Sequence, residues 1–251
     1  MPVSDLARDL LTGFDPVAMA GEVGLAPDPW QARFLRSRSE RVLLNCCRQS
    51  GKSTITALLA VHTAVYRNRS LVLLLSPSLR QSQELFRKAS DVYQKLDHPV
   101  PRVSESALRL ELENGSRIVS LPGTEQTVRG YSGVRLLAID EAARVPDDLY
   151  LAIRPMLAVS GGRLVALSTP YGSRGWWHDA WHSFEAWERY RVPASECPRI
   201  SPGFLAEEER TMGRWWFQQE YGCEFLDSQA QAFSREDIEG AFDEDLEAWD
   251  L

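Results

Sequence analysis

Lysine is scarce in this 251-residue chain: Lys52, Lys88 and Lys95 are the only three among 28 basic residues. A position that keeps lysine against that bias stands out, because a slim ammonium enters a cramped loop where a planar guanidinium does not. Long apolar runs are missing too. None approaches the roughly 18 residues needed to span a bilayer, and Met1-Pro2-Val3-Ser4-Asp5 lacks a signal peptide's basic start. No membrane partner and an intracellular location are expected. Cys46, Cys47, Cys197 and Cys223 form neither a C-x-x-C pair nor a disulfide framework, so free thiols in a reducing compartment are expected. Of the four histidines, His178 and His182 stand at i and i+4. Asp179 follows where a zinc protease motif has Glu, and no third ligand is near, so an amphipathic helix with surface histidines is the better account.

The net charge of −7 has a local origin. Residues 234–251 hold eight acids and one Arg, which leaves 27 charges of each sign in the remainder. A neutral body can still carry a basic strip, so charge neither supports nor excludes a nucleic-acid partner. The acidic tail reads as a solvated exit segment or linker.

What is present is a strand, loop and helix unit. Arg41 to Cys46 reads as a buried strand, and Ile55, Leu58, Leu59 and His62 then recur at helical spacing. Between them, Cys46-Cys47-Arg48-Gln49-Ser50-Gly51-Lys52-Ser53 reads as a phosphate-binding loop, with Cys46 where the full pattern has its first Gly. Backbone N–H groups and the N-terminus of the next helix converge on phosphate oxygens in such a loop. Lys52 would reach the β- and γ-phosphates and the Ser53 hydroxyl would meet Mg²⁺, so ATP binding is expected. The bland alternative is a strand-to-helix turn in which Gly51 supplies an awkward backbone angle and Lys52 is a solvated charge.

Further along, Leu71 to Leu75 forms a second buried strand, and Ser78 can cap a helix whose face holds Leu85, Phe86, Ala89, Val92, Tyr93 and Leu96. Strands alternating with helices predict a parallel sheet. Around Asn114-Gly115 the pattern becomes alternating, which signals a β-hairpin. Leu136 to Glu141 and Arg163 to Pro170 read as two more strands with polar tips, and such tips collect at one sheet edge where ligands bind. After Pro170 the chain is aromatic-rich and less regular, and a lid or small subdomain of helices packed on the sheet is expected.

Asp140-Glu141, 88 positions beyond Lys52, closes one of these strands. Asp140 would hold Mg²⁺, and Glu141 would orient and polarise the water that attacks the γ-phosphate; alternatively the pair caps a helix. Arg129 lies in a glycine-flanked loop, either as a guanidinium that neutralises transition-state charge or as a surface residue in a weak salt bridge. Pro29-Trp30-Gln31 precedes the first strand. The Gln31 amide matches the N6 and N7 edge of adenine and Trp30 could pack beside the base; the other reading is a buried Trp with a solvent-facing amide.

Taken in order, Pro29-Trp30-Gln31, Arg48-Gln49-Ser50-Gly51-Lys52-Ser53, Asn114-Gly115-Ser116, Arg129-Gly130, Ile139-Asp140-Glu141-Ala142-Ala143, Leu167-Ser168-Thr169-Pro170-Tyr171-Gly172 and Gln219-Glu220-Tyr221-Gly222-Cys223-Glu224-Phe225 resemble the large terminase subunit of tailed bacteriophages. The resemblance spans about residues 29–233. It implies an α/β P-loop NTPase of the additional-strand, catalytic-glutamate type, with a mostly parallel central sheet flanked by helices, a β-hairpin insertion and a small C-terminal lid. The parts would be an N-terminal helical segment (1–28), the ATPase core (29–175), a lid and linker (176–233) and the acidic tail (234–251). The implied activity is ATP hydrolysis that drives double-stranded DNA into a viral procapsid, with Mg²⁺ as cofactor.

Residue by residue, the resemblance gives Arg48 and Lys52 as phosphate-loop cations, with Gln49, Ser50, Gly51, Ser53 and Thr54 completing the ATP site. Ser53 and Asp140 become the metal ligands and Glu141 the catalytic acid. Ser168 and Thr169 couple hydrolysis to movement, and Arg129 is supplied to a neighbouring subunit's ATP. Implied partners are a homo-oligomeric ring, a pentamer, on a portal protein, and the small terminase subunit, in the host cytoplasm and transiently on the procapsid. The family carries a second, nuclease domain where this sequence ends, so no nuclease activity is expected here. Two other readings stand beside this one: a helicase-like ATPase, although no second phosphate loop is present, and an interaction module using the acidic tail and the aromatic residues Trp176, Trp177, Trp181, Trp215 and Trp216.

Overall fold

The computed structural model describes residues 5–97, 99–123, 128 and 130–227. Its centre is an eight-stranded sheet. In chain order the strands are β1 (Arg41–Cys46), β2 (Leu71–Ser76), β3 (Arg102–Ser106), β4 (Arg109–Leu112), β5 (Arg117–Pro122), β6 (Val134–Asp140), β7 (Arg163–Ser168) and β8 (Glu188–Val192). Across the sheet they run β3-β4-β5-β2-β6-β7-β1-β8. Pairing is parallel from β5 through to β8 and antiparallel only where β4 and β3 extend the β5 edge.

The near-continuous apolar strands follow from helices on both faces, since a strand covered on both sides has no solvent side to keep polar. Alternate residues of one strand enter different cores. Val72 and Leu74 pack under α4 (Lys52–Tyr66) and α5 (Leu79–Gln94), joined there by α2 (Pro16–Glu22) and α3 (Pro29–Arg36). Leu71, Leu73 and Leu75 face the other side, with Leu149 and Ile153 of α6 (Asp147–Ile153) and Trp176 and Trp177 of α7 (Gly175–His182). Further helices among the described residues are α1 (Asp5–Phe14), α8 (Pro202–Met212) and α9 (Arg214–Glu220). Ser78 caps α5 by accepting from the Gln81 amide, and Asn114-Gly115 turns the β4–β5 hairpin with Gly115 at φ 78°.

β7 lies between β1, which leads into the phosphate loop, and β6, which ends in Asp140. This is the additional strand of the expected fold class. Register then aligns the tips, with Asn45 of β1 opposite Ser168 and Asp140 of β6 opposite Leu167. Two strands were not legible in advance. The fully exposed β3 carries too few apolar residues to signal itself. β8 corrects the helix-only expectation for the chain after Pro170: Glu188-Arg189-Tyr190-Arg191-Val192 pairs in parallel with β1 and hides its inward positions among arginines.

The β6–β7 connection passes against the start of β6. A Cβ on Gly162 would lie 2.0 Å from the Val134 carbonyl oxygen and 2.8 Å from the Leu157 side chain. Gly162→Ala is therefore expected to destabilise the fold by about 3 kcal/mol, read as a lower urea midpoint with an unchanged slope.

Candidate functional site

The phosphate loop is shaped by its own backbone and held from behind. Gly51, the residue before α4, sits at φ 84°, and Gln49 also has a positive φ, 61°, an uncommon state for a residue with a side chain. The Cys47 amide donates to Val192 O at 3.0 Å and the Arg48 amide to Glu220 O at 3.2 Å. Ser50 O accepts from Gln31 Nε2 at 3.1 Å and from Arg199 Nη2 at 2.8 Å. These bonds fix the outer side of the loop, while the first turn of α4 presents amides with no intrahelical partner.

In front of the loop lies a cavity of about 290 Å³, lined by Arg48 to Thr54 together with Lys88, Glu141, Arg144, Thr169, Pro170 and Glu220. Lys52 is 7% exposed. Its ammonium makes two long hydrogen bonds, to Thr169 Oγ1 at 3.3 Å and to Cys47 O at 3.4 Å. The Ser53 hydroxyl donates to the Asp140 carboxylate at 3.1 Å. Burial and the adjacent Glu141 charge push the Asp140 carboxyl above the ordinary aspartate range, against the pull of Lys52, the Ser53 hydroxyl and the Glu141 amide. Glu141 itself is in the left-handed region at φ 51° and lines the cavity wall. Ser168 is buried and ties the tip of β7 to the next turn: its hydroxyl donates to Thr169 O at 2.7 Å and accepts from the Ala143 amide at 3.2 Å.

Most of the residues singled out in sequence thus meet at one sheet edge. Trp30 and Gln31 do not line the cavity. Trp30 is packed in the core, and the Gln31 amide is committed to the protein, accepting from the Asp28 amide at 2.9 Å while it donates to Ser50. Neither presents an adenine-reading group here. Arg129 lies outside the described residues, as does the acidic tail. Of the aromatic residues named for an interaction module, Trp176 stacks on Tyr150 at 3.9 Å and Trp177 is core, whereas Trp216 is 46% exposed. His178 is buried against Phe225 rather than at the surface.

Four residues of the site were missed. Lys88 reaches the cavity from α5, and the lysine scarcity that marked Lys52 applied to it equally. Arg144 lines the wall with its guanidinium 4.1 Å from the Tyr171 ring. Glu220 pairs with Arg48, which raises the Arg48 pKa. Arg199 bridges Ser50 and Asp28, the latter at 2.8 Å, and carried no local signal.

The family model described as "Terminase large subunit, T4likevirus-type, N-terminal" matches residues 43–240. The chain belongs to the terminase large-subunit family. Among curated terminases, the large subunit of Thermus phage G20c is 25% identical over 252 aligned positions, covering 86% of this chain and 52% of that protein. The chain therefore spans about half the length of the curated relatives it matches. Among solved structures, the ATPase domain of the Thermus phage P74-26 large terminase matches with a TM-score of 0.72 at 22% identity, covering 82% of this chain and 97% of that one. The large terminase of a thermophilic bacteriophage in complex with ADP gives 0.68 at 12% identity, over 80% of this chain and 54% of that one. The α/β P-loop NTPase fold is common to these terminases and to this chain.

Because a raised carboxyl pKa means that the folded chain carries the Asp140 charge at a cost above both titrations, Asp140→Asn is expected to raise the melting temperature of the nucleotide-free chain at neutral pH. The gain should shrink as pH falls through the raised folded-state pKa and vanish below the ordinary aspartate range, where the wild-type carboxyl is protonated in both states. Thermal melts of both proteins across pH 3 to 8 check this.

Proposed function

We propose that this chain is the ATP-hydrolysing part of a DNA-packaging motor, and that hydrolysis drives double-stranded DNA into a viral procapsid. One observation carries the reading: buried Lys52 and the Ser53–Asp140 contact share one cavity edge with Glu141. Lys52 and the amides of the loop and of the first α4 turn bind the β- and γ-phosphates. Ser53 and Asp140 are the residues that would hold Mg²⁺. The donor set suits it, since both are oxygen donors already in contact and the Asp140 charge is under-compensated. When bound, the cation neutralises charge on the phosphates.

Glu141 accepts a hydrogen bond from the attacking water and orients it toward the γ-phosphorus. Thr169 shares Lys52 with the substrate. A phosphate that takes the ammonium weakens its bond to Thr169, and Ser168 passes that change to the turn at Ala143, which is the coupling role given to Ser168 and Thr169. Arg129 acts on the ATP of a neighbouring subunit, so a ring is needed, with a portal protein, the small terminase subunit and the host cytoplasm as its setting. No helix among the described residues is long and apolar enough to cross a membrane.

Glu141→Gln is expected to lower steady-state ATP turnover about 100-fold or more while nucleotide binding persists; equal turnover would remove the hydrolytic role and leave the nucleotide structural. For Arg129, mixing inactive Lys52→Ala with inactive Arg129→Ala subunits is expected to restore part of the hydrolysis, because mixed rings contain intact sites. No recovery at any ratio returns Arg129 to its own subunit.

A further inference from the structure

At the amino edge of the sheet, away from the phosphate loop, lies a larger cavity of about 570 Å³. The parallel strands begin at this edge, and five arginines lie in or near their lead-in segments. Arg36 closes α3, Arg38 follows it, Arg67 follows α4, Arg135 lies at the start of β6 and Arg163 opens β7; all five line the cavity. Its acids are Asp15 and Glu40. Asp15 is already engaged by Arg36 at 2.7 Å. His62 is held below its ordinary pKa by burial and adds no charge at neutral pH.

Among the described residues, Arg38, Arg67, Arg135 and Arg163 form no ion pair. Arg163 is the telling member. Its Nε and Nη2 are shut off from solvent and have no hydrogen-bond partner among the described residues, and its guanidinium lies 5.4 Å from the Phe34 ring. The acid that faces it, Glu188, is committed to the Ser37 and Tyr190 hydroxyls. A buried donor left without an acceptor is costly, and burial draws the Arg163 pKa down.

We propose that this arginine-lined cavity binds a phosphate-class oxyanion, as a second site independent of the nucleotide site. Guanidinium groups present paired N–H donors that match two oxygens of one phosphate, and a cavity with four unpaired arginines against one exposed glutamate attracts such an anion before contact. The two sites stand at opposite ends of α4, about 22 Å apart for a helix of its length. The same chemistry is supplied by a small phosphorylated molecule or by a nucleic-acid backbone.

The test uses the Lys52→Ala chain, so that the phosphate loop does not take the probe. Inorganic pyrophosphate is titrated by calorimetry and a 20-base-pair DNA duplex by fluorescence anisotropy at several salt concentrations. Both are repeated on Lys52→Ala with Arg67→Gln and Arg135→Gln, at two exposed positions whose exchange leaves the core intact. Pyrophosphate affinity is expected to fall about tenfold or more in the triple variant. If a nucleic-acid backbone is the occupant, duplex affinity falls as well and its log-salt slope drops by about two; unchanged duplex binding assigns the cavity to a small phosphorylated ligand. Equal affinities in both proteins, or no binding of either probe, would overturn the proposal and leave the arginines as complements to the carbonyl ends of α3 and α4. Failure of the nucleotide site is read separately, as wild-type ATP binding that ignores Lys52→Ala.

Discussion

The site rests on a charge imbalance that the fold creates and does not correct. Asp140 is carried into the interior at the end of a strand buried on both faces, beside a second acid, with one ammonium and one hydroxyl nearby. Nothing in the stability of the sheet requires a carboxylate there, and an apolar tip would pack at lower cost. The imbalance persists because β6 and β1 are separated by β7: Lys52 is hydrogen-bonded to Thr169 and Cys47, and Asp140 meets the Ser53 hydroxyl instead of the ammonium.

Preorganisation of the loop is the second requirement, and it comes from distant parts of the chain. Gln31 and Arg199 grip the same carbonyl oxygen of Ser50, while Asp28 ties those two side chains together. Two segments far from the loop in sequence, residues 28–31 and Arg199, therefore set one peptide's orientation, and Gly51 beside it stands at a positive φ of 84°, where a side chain is strained, with a Cβ position 2.8 Å from Gln31 Nε2. A residue whose amide matches a base edge when read in sequence instead braces the loop before α4.

Legibility in the sequence followed the range of the interaction. β1, β2, β6 and β7 announced themselves as apolar runs with polar tips, and the loop and acid pair were readable because their chemistry demands particular residues at adjacent positions. β8 was hidden: an edge strand keeps polar residues on its open positions, so Arg189 and Arg191 disguised the inward Tyr190 and Val192. Glu220, Arg144 and Arg199 were invisible for another reason, because each acts across the tertiary fold on a partner that no local spacing encodes. Lys88 was legible in principle and passed over, since rarity of lysine was weighed at Lys52 alone.

The way the loop hangs from the C-terminal part of the chain has a mechanical consequence. Cys47 and Arg48 are bonded through their amides to Val192 and Glu220, Asn45 holds Cys223 O at 3.1 Å, and Ala194 N meets Tyr221 O at 2.8 Å. Such a linkage has almost no slack. A displacement of the loop would be passed on to α9 rather than absorbed, because tightly packed elements shift between discrete arrangements instead of stretching. The loop is thereby joined by short, direct contacts to α9 and to the chain that leads on to Phe225.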